Sequence, residues 1–130
     1  MGQGRKKLPE NAHRELTDRT IGAAMSVSNE LGIGFLEKVY ENALRIELKD
    51  QGLSVEQQKS LEVVYKGEPV GDYVADLIVD DTVIIELKCA DSISKAHNAQ
   101  LLNYLKATGI RVGLLFNFGT PRLGIRRLVF

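Results

Sequence analysis

The chain has 130 residues, 44% hydrophobic and 26% charged, and its 17 lysines and arginines balance its 17 aspartates and glutamates. This is the make-up of one ordinary globular domain with a core of its own. No apolar run approaches the ~20 residues of a membrane span, and the basic start lacks the apolar stretch of a secretory signal. The single cysteine, Cys89, excludes an internal disulfide or a CxxC pair. A cytoplasmic location is the expectation.

Residues 1–15 read as a flexible tail, leaving 16–130 as the single domain. Thr17 or Asp18 can cap a first helix, along which Ile21, Ala24, Met25, Ser28 and Leu31 recur at helical spacing until Gly32 and Gly34 interrupt it. A second helix is expected over about 35–51. Its apolar stripe is Leu36, Val39, Tyr40, Ala43 and Leu44, and Gly52 suits its end. Strands follow in "SLEVVYKG", "VGDYVADLIV" and "TVIIELK", with "KGEP" as a turn. The second and third of these lack clean alternation, as strands covered on both faces do. "SKAHNAQLLNYLKATG" reads as a helix packing through Ala96, Ala99, Leu101, Leu102 and Leu105 and stopped by Gly109. "IRVGLLFNF" reads as a buried strand and "LGIRRLVF" as an edge strand. The order is α-α-β-β-β-α-β-β.

Asp76, Glu86 and Lys88 lie in the most hydrophobic part of the chain, where an unpaired charge costs several kcal/mol. Residues two apart in a strand share a face, so Glu86 and Lys88 project side by side. Two carboxylates on adjacent strands can hold a hard cation such as Mg²⁺, and the ammonium beside them can meet a phosphate or an attacking water. The structural alternative is an Asp–Lys ion pair at a strand end. It leaves one carboxylate without a partner, and the metal reading is preferred for that reason. The reading also constrains the hairpin. A two-residue turn at Asp80-Asp81 puts Asp76 and Glu86 on opposite faces, so a three-residue loop, Asp80-Asp81-Thr82, or a bulge is required. "GIGFLE" lacks the third glycine of a dinucleotide loop and follows a helix, and no phosphate loop, HExxH or GxSxG is present.

Asp76 followed by Glu86-x-Lys88 on the next strand resembles the signature of the PD-(D/E)XK nuclease superfamily. "GFLEKVY", with Gly34, Glu37 and Tyr40, is similar to the pattern that names the GxxExxY protein family, a small branch of it. "AQLLNYLKATG" resembles the helix that follows in RecB-type nucleases, with Gln100 and Tyr104 as its Gln-x-x-x-Tyr pair. The resemblance covers about 16–120. It implies a restriction-endonuclease-like α/β core, a mixed sheet flanked by helices, and Mg²⁺ or Mn²⁺ as cofactor. It further implies Asp76 and Glu86 as the main metal ligands, with Glu37 and the backbone carbonyl of Leu87 as further oxygens. Lys88 would position or activate the water, and Gln100 and Tyr104 would orient the lysine or touch substrate. Tyr40 and Cys89 read as packing residues.

These residues imply a metal-dependent nuclease acting on nucleic acid, with DNA as the expected substrate. The alternative is a catalytically silent module of the same fold that binds nucleic acid or a protein partner, as a homodimer or within a larger complex. The chain hardly exceeds the core fold, so substrate choice falls to its own surface or to a partner. Six bases and no acid lie between Ser92 and Phe130, while the first 91 residues hold all 17 acids. That asymmetry points either to a polyanion near the third helix or to two parts that intermix on folding, the arginines neutralising the acids of the second helix. Lys95 and His97 are the expected phosphate contacts at the third helix. Arg126 and Arg127 are adjacent in a strand and cannot both line one groove.

Overall fold

A computed structural model describes residues 8–130. The elements are α1 (Arg14–Leu31), α2 (Glu37–Asp50), β1 (Val55–Tyr65), β2 (Glu68–Val79), β3 (Val83–Lys88), α3 (Lys95–Thr108), β4 (Val112–Asn117) and β5 (Gly124–Val129). They follow the order expected from the sequence. The strands form one sheet in the order β1-β2-β3-β4-β5. β3 and β4 are parallel, joined by the α3 crossover, and every other pair is antiparallel. One face packs against α1 and α2 through Ala24, Tyr40, Leu44, Leu87 and Phe116, and the other against α3 through Ile84, Leu101, Leu105 and Leu115. The central strands β3 and β4 are thus buried on both sides, which is why their sequences do not alternate.

Both N-terminal helices depart from expectation in detail. Thr17 and Thr20 are buried inside α1, where their hydroxyls donate to the Arg14 and Leu16 carbonyls rather than capping. The helix starts earlier, after His13 in the left-handed region. In α2 the buried stripe is Tyr40, Glu41, Leu44 and Leu48, while Leu36 is 79% exposed. Tyr40 sets that rotation: its hydroxyl donates to Gly32 O at 2.6 Å and its ring stacks on Phe118 at 4.7 Å. Of the segment read as a tail, residues 1–7 lie outside the described residues. Leu8 packs on the core, and the Arg127 guanidinium donates to the Glu10 and Ala12 carbonyls. α3 matches its reading at both ends, with Ser94 as N-cap and Gly109 left-handed at φ 78°. Its packing set differs: Tyr104 is buried, whereas Ala96 and Ala99 are exposed.

The β2–β3 connection is the three-residue loop that the site requires. Val79 pairs with Val83 and Leu77 with Ile85, so continuing the register sets Asp76 opposite Glu86. Asp80 and Asp81 take φ of 50° and 51° without glycine. Part of that cost is recovered by reciprocal bonds between Asp80 and Ser54, N–H to O at 2.8 Å and Oδ1 from N–H at 2.8 Å. β1 and β2 continue as a two-stranded arm well beyond their neighbours, since β2 pairs with β3 only over Leu77–Val79. The arm kinks where it leaves the sheet. Leu77 and Val79 face α1 and α2, yet Ala75 faces α3, so alternation breaks at Asp76. Its neighbour across the ribbon, Gln58, sits at φ 52°, a conformation costing roughly 1–2 kcal/mol for a residue with a side chain.

Candidate functional site

The kink exposes Asp76 to the end of β3. There the two strands part, and side chains replace the backbone ladder. The Asp76 N–H donates to Glu86 Oε1 at 3.0 Å, and the Leu87 N–H donates to Asp76 Oδ2 at 2.8 Å. Each carboxylate therefore completes a bond that regular pairing would have made. Glu86 is 3% exposed. Burial first, and then the Asp76 charge, push its pKa up to about 9. Burial also raises Asp76, against the Leu87 N–H, with the Glu41 charge adding to the rise. Two carboxyl groups this close hold one proton between them, chiefly on Glu86.

Lys88 lies on the same face as Glu86, and its Nζ donates to Gln100 Oε1 at 2.9 Å. Gln100 reaches it from the second turn of α3, on the same helix face as Tyr104 one turn on. Tyr104 is buried beneath Tyr73. Burial, followed by the charges of Glu86 and Asp76, pushes its pKa up to about 12, so it stays a neutral donor. Glu37 opens α2 from the opposite side of the sheet. Its carboxyl meets the Cys89 N–H, and burial and then the Asp76 charge raise its pKa. Glu37, Asp76, Glu86, Lys88, Gln100 and Tyr104 thus converge, with Leu87 between two of them in the chain. Lys95 stands exposed at the start of α3. His97 is occupied locally: its Nδ1 accepts from the Ser94 N–H at 3.1 Å while its own N–H donates to Ser94 Oγ at 3.1 Å. Among the described residues, Arg122, Arg126 and Arg127 form no ion pair with α2.

Three participants were not singled out in the sequence. Glu41, one turn after Glu37, is 2% exposed and accepts from Lys38 at 2.8 Å and from Gln58 Nε2 at 2.8 Å. Gln58 also approaches Asp76 Oδ1 at 3.3 Å, so it links α2 to the site. Asn117 ends β4, 2% exposed, and grips the backbone after Lys88: Oδ1 accepts from the Ala90 N–H at 2.9 Å and Nδ2 donates to the Ala90 carbonyl at 2.9 Å. Gly119 lies against the same segment, where an added Cβ would come 2.4 Å from the Ala90 oxygen. The one clue in the sequence was the isolated Asn-x-Gly at the end of an apolar strand.

The donors suit a hard cation. Asp76, half-buried, and Glu86, buried, bring two carboxyl groups together, and the lysine beside them is already bonded to an amide. Among the described residues no three His, Cys, Asp or Glu side chains are grouped tightly enough to cage a metal. Mg²⁺ does not need such a cage, since it is commonly bound by one or two carboxylates and keeps several waters.

No helix among the described residues is long and apolar enough to cross a membrane. In a search of curated proteins nothing matches this chain. Among solved structures, the crystal structure of a protein named SSO0001 is similar in fold at a TM-score of 0.57 and 20% identity, with 92% of this chain and 59% of that one aligned. This chain therefore spans well under two thirds of that protein. The model of the PD-(D/E)XK nuclease superfamily matches residues 14–128, nearly the whole described chain. It covers the kinked strand, the carboxylate pair and the lysine of β3, and the chain belongs to that superfamily.

Proposed function

We propose that this protein is a Mg²⁺- or Mn²⁺-dependent nuclease of the GxxExxY branch that hydrolyses phosphodiester bonds of DNA. The observation that carries the proposal is the placement of Lys88: an ammonium beside the Asp76 and Glu86 carboxyl groups, held by Gln100 rather than by either of them. An ion pair serving stability alone would join Lys88 to Asp76 or Glu86, yet the lysine bonds neither.

Asp76 and Glu86 would hold the cation, with Glu37 and the Leu87 carbonyl as further oxygens. When bound, the cation polarises the scissile phosphate and lowers the pKa of a coordinated water. Lys88 orients that water and offsets charge gathering on the phosphate. Gln100 fixes the lysine's rotamer. The hairpin loop sets the register of Asp76 against Glu86, and the Asn117 clamp ties the segment after Lys88 to the end of β4. A silent binding module is the second reading, favoured by the exposed apolar residues of the arm, Val64, Tyr65 and Val70.

The test is to incubate the purified protein with linear, circular and branched DNA, and with RNA, in Mg²⁺, Mn²⁺ or EDTA. Lys88→Ala and Asp76→Asn run alongside. Cleavage in metal that both variants lose by 100-fold or more supports the reading. Calorimetry should find Mn²⁺ binding in wild type and Lys88→Ala, and none in Asp76→Asn. Equal Mn²⁺ affinity in Asp76→Asn sinks the metal assignment.

A further inference from the structure

A cleft of about 290 Å³ opens between the arm and α3, lined by Tyr73, Ala96, Ala99, Gln100, Asn103 and Tyr104. It begins at the residue that holds Lys88 and contains no charged side chain. A phosphate has no counter-charge there, whereas a flat, weakly polar group fits. The volume sits at the small end of ligand pockets, ~300–1,000 Å³, and suits one ring system rather than an extended ligand. We propose that this cleft receives one unpaired nucleobase adjacent to the phosphate at Lys88. The preferred substrate is then a nucleic acid with an unpaired nucleotide beside the cleavage position. The proposal rests on the nuclease reading above.

The lining has the chemistry of base recognition. Tyr73 is 47% exposed, and its ring meets the Tyr104 ring at 5.5 Å with a 51° tilt between them. A half-exposed tyrosine supported on one side offers a surface for stacking, the sequence-tolerant way to hold an unpaired base. Ala96, Ala99 and Asn103 recur at helical spacing on one face of α3. The two alanines are exposed and leave the opposite wall open, and they do little for the core. Asn103 adds an amide that can both donate to and accept from a base edge. Tyr73 and Asn103 also line a second cleft of about 460 Å³, whose charged residues are Lys106 and Glu62. A paired base would have to leave its stack to enter, at a cost that an unpaired base does not meet.

The experiment measures binding of a single-stranded oligonucleotide carrying 2-aminopurine to the Lys88→Ala protein in Mn²⁺, so that nothing is cleaved. Abasic sites replace each position in turn. Seating of the base should quench the fluorophore, and one abasic position should weaken binding. Tyr73→Ala should weaken binding of the intact strand by roughly 5- to 150-fold, with no further loss at that abasic position. Tyr73→Phe should restore wild-type affinity, which a general loss of folding could not do. Tyr73→Ala binding as tightly as wild type overturns the proposal, as does a fully paired duplex bound as well as the single strand. Those outcomes leave the nuclease reading standing. That reading fails separately, through absence of metal-dependent cleavage of every substrate by the wild-type protein.

Discussion

Glu86→Gln isolates the proton held by the carboxylate pair. In the metal-free protein Glu86 keeps its proton up to about pH 9, while in the unfolded chain it loses it near the ordinary glutamate value of 4.5. The native state therefore binds one more proton than the unfolded state across that window. Stability is fully present below the unfolded pKa and falls as pH rises towards the folded one. The slope is about 1.4 kcal/mol per pH unit, so the loss between about pH 6 and pH 9 is roughly 4 kcal/mol. Glutamine has the shape of the protonated acid, still accepts the Asp76 N–H and can donate to the Asp76 carboxylate. Urea unfolding in EDTA should therefore give wild type and Glu86→Gln similar stability only below the unfolded pKa, an advantage of roughly 2 kcal/mol for the variant at about pH 6, and a widening one above it. Parallel curves for the two proteins between about pH 6 and pH 9 would refute the shared proton and the burial argument behind it.

Gly119→Ala should push the segment after Lys88 out of place, because the new methyl has only 2.4 Å to the Ala90 oxygen and 2.5 Å to its nitrogen. We expect a loss of roughly 1–3 kcal/mol in thermal unfolding, as for overpacked cores, with reduced cleavage. A variant that melts and cleaves like wild type removes the clamp from the account. Lys95→Ala should flatten the slope of log K against log[salt] on duplex DNA by about one unit and weaken all sequences alike. An unchanged slope moves the phosphate track away from the start of α3 and favours a partner-binding surface there.

The parts of the fold legible in the sequence were those set by local chemistry. Gly109 ends α3 because a left-handed glycine is a short-range effect. The three-residue loop was legible because a one-residue slip would have carried Asp76 to the wrong face. The Gln58 kink was hidden, since no glycine marks it; its left-handed backbone is held by bonds to Glu41 and Asp76, 17 and 18 residues away. Glu41 read as an ordinary helical glutamate for the same reason: its burial depends on a strand that follows. The rotation of α2 escaped because Tyr40 answers to Phe118, a partner that follows β4, far along the chain. Tyr73 went unremarked because an aromatic residue in a strand is unexceptional until α3 is laid beside it.

The exchange of carboxylates for ladder bonds gives the four residues different evolutionary freedom. Losing Asp76 or Glu86 strands a backbone N–H at the splayed strand ends, a penalty of about 1–3 kcal/mol. Against a typical margin of ~5–15 kcal/mol that is a sizeable share. Lys88 and Gln100 bond each other side chain to side chain, so replacing both by apolar residues orphans no backbone group. A descendant that abandoned chemistry would therefore shed its lysine and glutamine early and keep its acids as masonry. In chains built on this plan the acids report the fold, and the lysine with its glutamine reports the trade.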